Sequence, residues 1–117
     1  MSCVLRVSGP RINAALSKIS LEPYRNEGGT IHFEVSEADF GDFTAQIKDS
    51  ISFLQLHMAD VKLMMSITDT RGALDFAIEW RDVAVQVDNF PVELVREAGN
   101  LGLALEISHY PIVENGQ

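Results

Sequence analysis

Three histidines, one cysteine and 17 Asp+Glu are the side chains from which this 117-residue chain could build a reaction centre. A metal site needs His, Cys or carboxylates converging on one point. His32, His57 and His109 are far apart in sequence, but His32 and His109 both fall in segments that read as strands. A cluster of His32, His109 and Glu106 therefore depends on those strands being neighbours and facing the same way. The plain reading is three unpaired surface histidines. Nucleophilic catalysis needs a nucleophile beside an oriented base. There is no G-x-S-x-G elbow, and Cys3 has no histidine near it in sequence, so it reads as a small residue of the first strand. Ser8-Gly9-Pro10-Arg11 lies at a strand-to-helix turn, where backbone N–H groups can hold an anion, but Pro10 removes one donor. Gly28-Gly29 lacks the longer glycine pattern of a phosphate loop. Asp75 and Glu79 share one side of a strand and have the residue types for acid–base work, although such pairs are commonly just solvated. Glu37, Asp39 and Asp42 resemble a metal cluster on paper, yet carboxylates at a helix start are explained by the helix dipole. No catalytic, cofactor or metal site is expected, and the chain reads as a binder and not as an enzyme.

The elements that carry these residues follow from periodicity. Residues 3–8 read as a strand broken by Gly9-Pro10, and Ile12, Ala15, Leu16 and Ile19 then mark one face of a short helix. Residues 22–29 read as a loop or turn, and residues 30–35 as a strand with Ile31, Phe33 and Val35 on one side. Residues 36–39 carry helix-start chemistry, and Phe40, Phe43, Ile47, Ile51 and Leu54 step along a long helix ending near His57. Residues 61–67 alternate as a strand, 68–72 as a polar turn and 74–80 as a strand again. Val83, Val85 and Val87 form a further alternating set, set off from Trp80 by a tight turn at Arg81-Asp82 or by a bulge. Asp88-Asn89 offers a cap, Pro91 opens a third helix, and Gly99 or Gly102 ends it. Residues 103–109 are the last strand, stopped by Pro111, and residues 113–117 read as a frayed tail.

Strands that alternate have one wet face, whereas strands covered on both faces are apolar throughout. The expected fold is therefore one α+β domain spanning residues 1–117. It is a two-layer sandwich with a mostly antiparallel sheet and helices on one face, a ferredoxin-like variant. Its inner face should hold Leu5, Phe33, Leu63, Phe76, Ile78, Trp80, Leu105 and Ile107. Its outer face should show His32, Glu34, Lys62, Met64, Asp75, Ala77, Glu79, Glu106 and Ser108. The candidate partner-binding residues are Glu34, Asp75, Glu79 and Glu106, with His32 and Met64 beside them. Met64 is included because a flexible thioether suits an adaptable contact.

Net charge narrows the partner. With 9 Lys+Arg the formal charge is −8, and the basic residues are scattered singly. Nucleic acid and anionic membrane surfaces both require clustered cations, so neither is expected as partner. A cationic protein is favoured by long-range steering, although net charge also simply keeps a protein soluble. One cysteine permits no internal disulfide, and no run reads as a leader or a span; a cytoplasmic setting is the expectation.

The opening VLRVSG (residues 4–9) and the closing PVELVREAGNLGLALEISHY (residues 91–110) resemble the bacterial domain-of-unknown-function family 4279. In that family a first strand ending in a Ser/Thr-Gly pair leads to a helix, and the C-terminus is a helix, an LG pair and a strand. The aromatic and Arg associated with the loop after the first helix are represented here only by Tyr24-Arg25. The resemblance implies no reaction. By analogy of fold and context it implies an immunity (antitoxin-like) protein that neutralises a bacterial toxin by occlusion. The second reading is a small-molecule-binding regulatory domain of ACT-like type, acting as a homodimer formed by sheet extension or helix packing.

Overall fold

The computed structural model describes residues 1–81 and 83–112. Chain order is β1 (Cys3–Ser8), a 3₁₀ helix (Ile12–Lys18), β2 (Arg25–Glu27), β3 (Thr30–Ser36), α1 (Phe43–Leu56), α2 (Met58–Met65), β4 (Arg71–Trp80), α3 (Val92–Asn100) and β5 (Leu103–Pro111). The strands form one five-stranded sheet in the order β2-β3-β1-β4-β5. The pairs β2–β3, β1–β3 and β1–β4 are antiparallel, and β4–β5 is parallel. The last pair is parallel because α3 carries the chain back over the sheet between its two strands. The helices pack against one side, so the α+β expectation holds.

The core lies between sheet and helices. Leu5, Val7, Ile31, Phe33, Leu74, Phe76 and Ile78 point into it from the strands, and Leu54, Val61, Met64, Leu94 and Ala98 from the helices, each at most 1% exposed. Phe43 and Phe90 stack on Phe76 at centroid distances of 5.7 and 5.1 Å, tying α1 and the approach to α3 to the middle of the sheet. Buried Gln46 on α1 donates to the carbonyls of Asp39 and Ala77, closing backbone groups at the sheet's end.

Several elements depart from the sequence expectations. Residues 61–67 lie in helix α2 and the turn after it, not in a strand. Val61 and Met64 are buried three apart, the helical spacing, and Lys62, Leu63, Met64 and Met65 are good helix formers. A two-residue alternation over so short a run matched both periods. The loop at residues 22–29 contains the short strand β2. Gly28 and Gly29, at φ 61° and 79°, turn it into β3, with Glu27 opposite Thr30, a conformation that glycine reaches without strain. Val35 is an extra residue where Cys3 pairs with Ser36 but Val4 with Glu34, so the alternation of β3 breaks there and Ser36 turns inward.

Helix α1 starts at Phe43, later than residues 36–39 suggested. Asp42 caps it by accepting from the Ala45 N–H at 3.1 Å. Phe40 stays outside the helix: its carbonyl accepts from the Glu79 N–H at 3.2 Å, extending the sheet past the end of β1. Residues 83–90 form no strand; Val83, Val85 and Val87 are exposed. Instead the Gln86 side chain accepts from Arg81 N–H and donates to the Glu79 carbonyl, supplying the partner that a strand would have given the end of β4. The choice between turn and bulge falls partly on Asp82, outside the described residues, as does the expected frayed tail, 113–117. Among the described residues no side chain caps α3, whose first turn follows Pro91; Asp88 accepts from Gln86 instead.

Candidate functional site: the open face of the sheet

The face opposite the helices is built by alternation. Val4, Arg6 and Ser8 come from β1, flanked by Thr30, His32 and Glu34 of β3 and by Ala73, Asp75, Ala77 and Glu79 of β4; Ala104, Glu106, Ser108 and Tyr110 of β5 complete it. Register puts Arg6 between His32 and Ala73, and Asp75 between Val4 and Glu106.

Arg6 is the centre of this face. Its guanidinium donates through Nη1 to Asp75 Oδ2 at 2.8 Å and through Nη2 to Glu106 Oε2 at 2.7 Å, crossing β4 to reach β5. Ser108 Oγ donates to Asp75 Oδ1 at 2.8 Å, so both oxygens of Asp75 are used. The Asp75 side chain is 14% exposed and that of Glu106 50%. Burial works against the charge on Arg6, but the hydrogen bonds and charges of Asp75 and Glu106 together outweigh it and raise its pKa. Charge-assisted bonds of this kind are stronger than neutral ones.

Around that centre the other expected residues are distributed unevenly. Glu34 is exposed beside Glu37; their shared hydrogen bond, then partial desolvation and mutual repulsion, raise the Glu34 pKa. Glu79 turns toward the connection between β3 and α1: a Cβ on Gly41 would sit 2.9 Å from Glu79 Oε2. His32 packs against Tyr24 at 5.8 Å. Burial first, then the charges of Arg25 and Arg6, lower its pKa, with Glu27 opposing them. Arg25 pairs with Glu27 at 2.7 Å. Three shallow hollows touch Arg6, one of 230 Å³ on its β4–β5 side and two on the side of His32. One of 450 Å³ is lined by Ser8, Arg25, Glu27 and His32, and one of 310 Å³ by Tyr24, His32, Asp75 and Tyr110.

Of the six expected residues, the structure sets His32, Glu34, Asp75, Glu79 and Glu106 on the open face. Met64 is a correction: it is fully buried on α2, under the helices, and Lys62 likewise sits on α2 and not on the sheet. His109 also falls elsewhere. It lies on the helix side of β5 against Trp80 at 5.8 Å, so it does not meet His32 or Glu106. Among the described residues no three His, Cys, Asp or Glu side chains are grouped to hold a metal. Cys3 is buried, and desolvation, then the charges of Asp75 and Asp49, push its thiol far above the usual range, so it is unreactive as a nucleophile.

The four acids therefore do not form one uniform negative patch. Two are knitted to Arg6, one pairs with Glu37, and one leans on a loop. Arg6 was the residue that pattern reading passed over. Its signal was available: a single Arg on the even side of a strand whose odd side is Cys3, Leu5 and Val7 must share its face with Asp75 and Glu106 once those strands join the same sheet. Comparison with protein-family models, with curated proteins and with solved structures found no match to this chain.

Proposed function

We propose that this domain is a protein-binding module whose open sheet face docks a partner carrying Lys or Arg side chains. The observation that carries the reading is the asymmetry of the sheet: one side is sealed by helices, while the other presents charged side chains on a surface held in place by strand pairing. The Arg6–Asp75–Glu106 network fixes the middle of that surface, which lowers the entropy lost when a partner binds. Glu34, Glu37 and the exposed half of Glu106 are the carboxylates with capacity left to accept from a cationic partner. The net charge of −8 adds long-range attraction. The resemblance to the family 4279 points the same way and suggests that the partner is a toxin, blocked by occlusion.

The test is capture from the source lysate with wild-type protein and with Glu34→Lys/Glu106→Lys, followed by kinetics on the purified species. A partner of the open face associates at least tenfold more slowly with the variant and loses salt sensitivity. Association unchanged by the double reversal removes the site.

A second reading, a regulatory domain for a small anion, is favoured by the 450 Å³ hollow beside Arg25 and His32. Its mark is a rise in melting temperature with a carboxylate metabolite that is lost in Arg25→Ala.

A further inference from the structure

β5 is an edge strand: among the described residues its only sheet partner is β4. The strand thus presents one row of backbone N–H and C=O groups to solvent, ended by Pro111, which has no N–H. Natural edges of that length are blunted by charged side chains, lysine above all, by bulges or by proline, or they are used. Between Leu103 and Tyr110, β5 carries no lysine or proline, its one carboxylate, Glu106, is drawn to Arg6 on the open face, and it pairs with β4 without a register shift.

A second observation lies directly above. α3 packs on β5 through Leu94 and Ala98. Val92 and Val95 point elsewhere and are 70% and 49% exposed. Gly99 continues that stripe one turn on, with open space where a side chain would stand. Parallel β–α–β units cross over right-handed. That hand turns the stripe of Val92, Val95 and Gly99 away from α1, toward the free edge of β5. An unpaired strand and an apolar helix flank thus share one border of the molecule.

We propose that a second copy of this chain docks along this border, pairing β5 with β5 antiparallel about a two-fold axis at Leu105. The charge on Glu106 and the height of the valine stripe together select that axis over its neighbours at Glu106 and Ile107. Centred on Leu105, the inward row is apolar throughout, with Leu103 opposite Ile107 of the partner subunit, and Glu106 faces Ala104 of the partner subunit. Centred one residue later, Glu106 meets its own copy, and like charges directly opposite are destabilising. The rise per residue is about 1.5 Å in a helix and about 3.3 Å in a strand, so Val95 lies close to the height of Leu105. The same axis therefore brings the two valine stripes together above a ten-stranded sheet. An unrelated strand would satisfy the edge but would leave the stripe uncovered, which is why the occupant is a second copy. The open face stays free on both subunits, so this assembly stands or falls separately from the binding role above.

Sedimentation velocity across concentration, with amide hydrogen exchange on the same samples, tests the assembly. Wild type is expected to run at twice the chain mass at micromolar concentration, and its β5 amides to exchange more slowly as concentration rises. Val92→Glu/Val95→Glu alters only exposed positions and is expected to weaken the dimer at least tenfold and to abolish the concentration dependence. A wild-type protein that stays monomeric at about 100 μM, where a Kd of about 1 μM would leave it almost wholly dimeric, overturns the proposal. So does a dimer whose β5 exchange is independent of concentration, or one that the double variant leaves intact.

Discussion

Leu5 and Arg6 are neighbours on β1, yet they belong to two surfaces built on different physics. On the side of Leu5, side chains from four strands and four helices, the 3₁₀ helix among them, are packed until solvent is excluded. On the side of Arg6, the same strands carry a network of one cation, two carboxylates and a hydroxyl, half open to water. The first side is held by area removed from water and the second by geometry. A sheet face can thus be ordered without being buried, and the proposed docking surface is the ordered face that the helices leave uncovered.

The contrast is broken most severely from the covered side. Phe76→Ala removes a fully buried ring contacted by Phe43 and Phe90. It is expected to cost about 3–5 kcal/mol in urea unfolding. Gln46→Ala takes its donor from the Ala77 carbonyl, while the Asp39 carbonyl keeps the Asp42 N–H, with an expected loss of about 1–3 kcal/mol and faster exchange at the end of β4. On the uncovered side, Arg6→Ala leaves Asp75 with Ser108 as its one remaining side-chain partner among the described residues. Because the pair is partly solvated, the expected loss is smaller, about 1–2 kcal/mol, and it shrinks in high salt. If Arg6→Ala cost as much as Phe76→Ala, the two faces would not differ in kind.

The smallest effect concerns protons. Glu34 has a pKa raised above the usual 4.5 by its hydrogen bond and repulsion with Glu37. The folded state therefore holds that proton more tightly than the unfolded chain, and folding loses stability as pH climbs through the interval just above 4.5. Glu37→Gln is expected to bring the Glu34 titration back toward its ordinary value, as read by carboxyl NMR, and to flatten the pH dependence in that interval. A Glu34 titration that Glu37→Gln does not move would show that the two carboxylates do not interact.

How much of this was legible in the residues depends on length and on what each element touches. β1, the first half of β3, β4 and β5 announce themselves because one face is dry and the other wet, so period two is imposed on the sequence. α3 is legible from Pro91 before it and Gly102 after it, the latter at φ 75°. Residues 61–67 were misread because Val61, Leu63, Met65 and Ile67 alternate while Val61 and Met64 are the positions that packing selected. That choice is made by the sheet they cover and not locally. The bulge at Val35 and the side-chain strand mimicry of Gln86 leave no composition signal at all. Of the open face, the acids were readable as alternating outward positions, but their pairing was not. Whether Glu106 is free or held by Arg6 depends on β1, β4 and β5 lying side by side, 100 residues apart in the chain.

The central claim is that binding belongs to the open sheet face and not to charge in general. Its direct test compares association rates of the captured partner with two variants of equal net charge. Glu34→Gln/Glu106→Gln changes the open face, and Ser52→Lys/Gln55→Lys changes the exposed side of α1; each takes the chain from −8 to −8 + 2 = −6. The expected result is slowing by the first pair well beyond that by the second, at every salt concentration. Equal slowing by both pairs would contradict the claim, because it would mean that the partner senses only the total charge of the molecule.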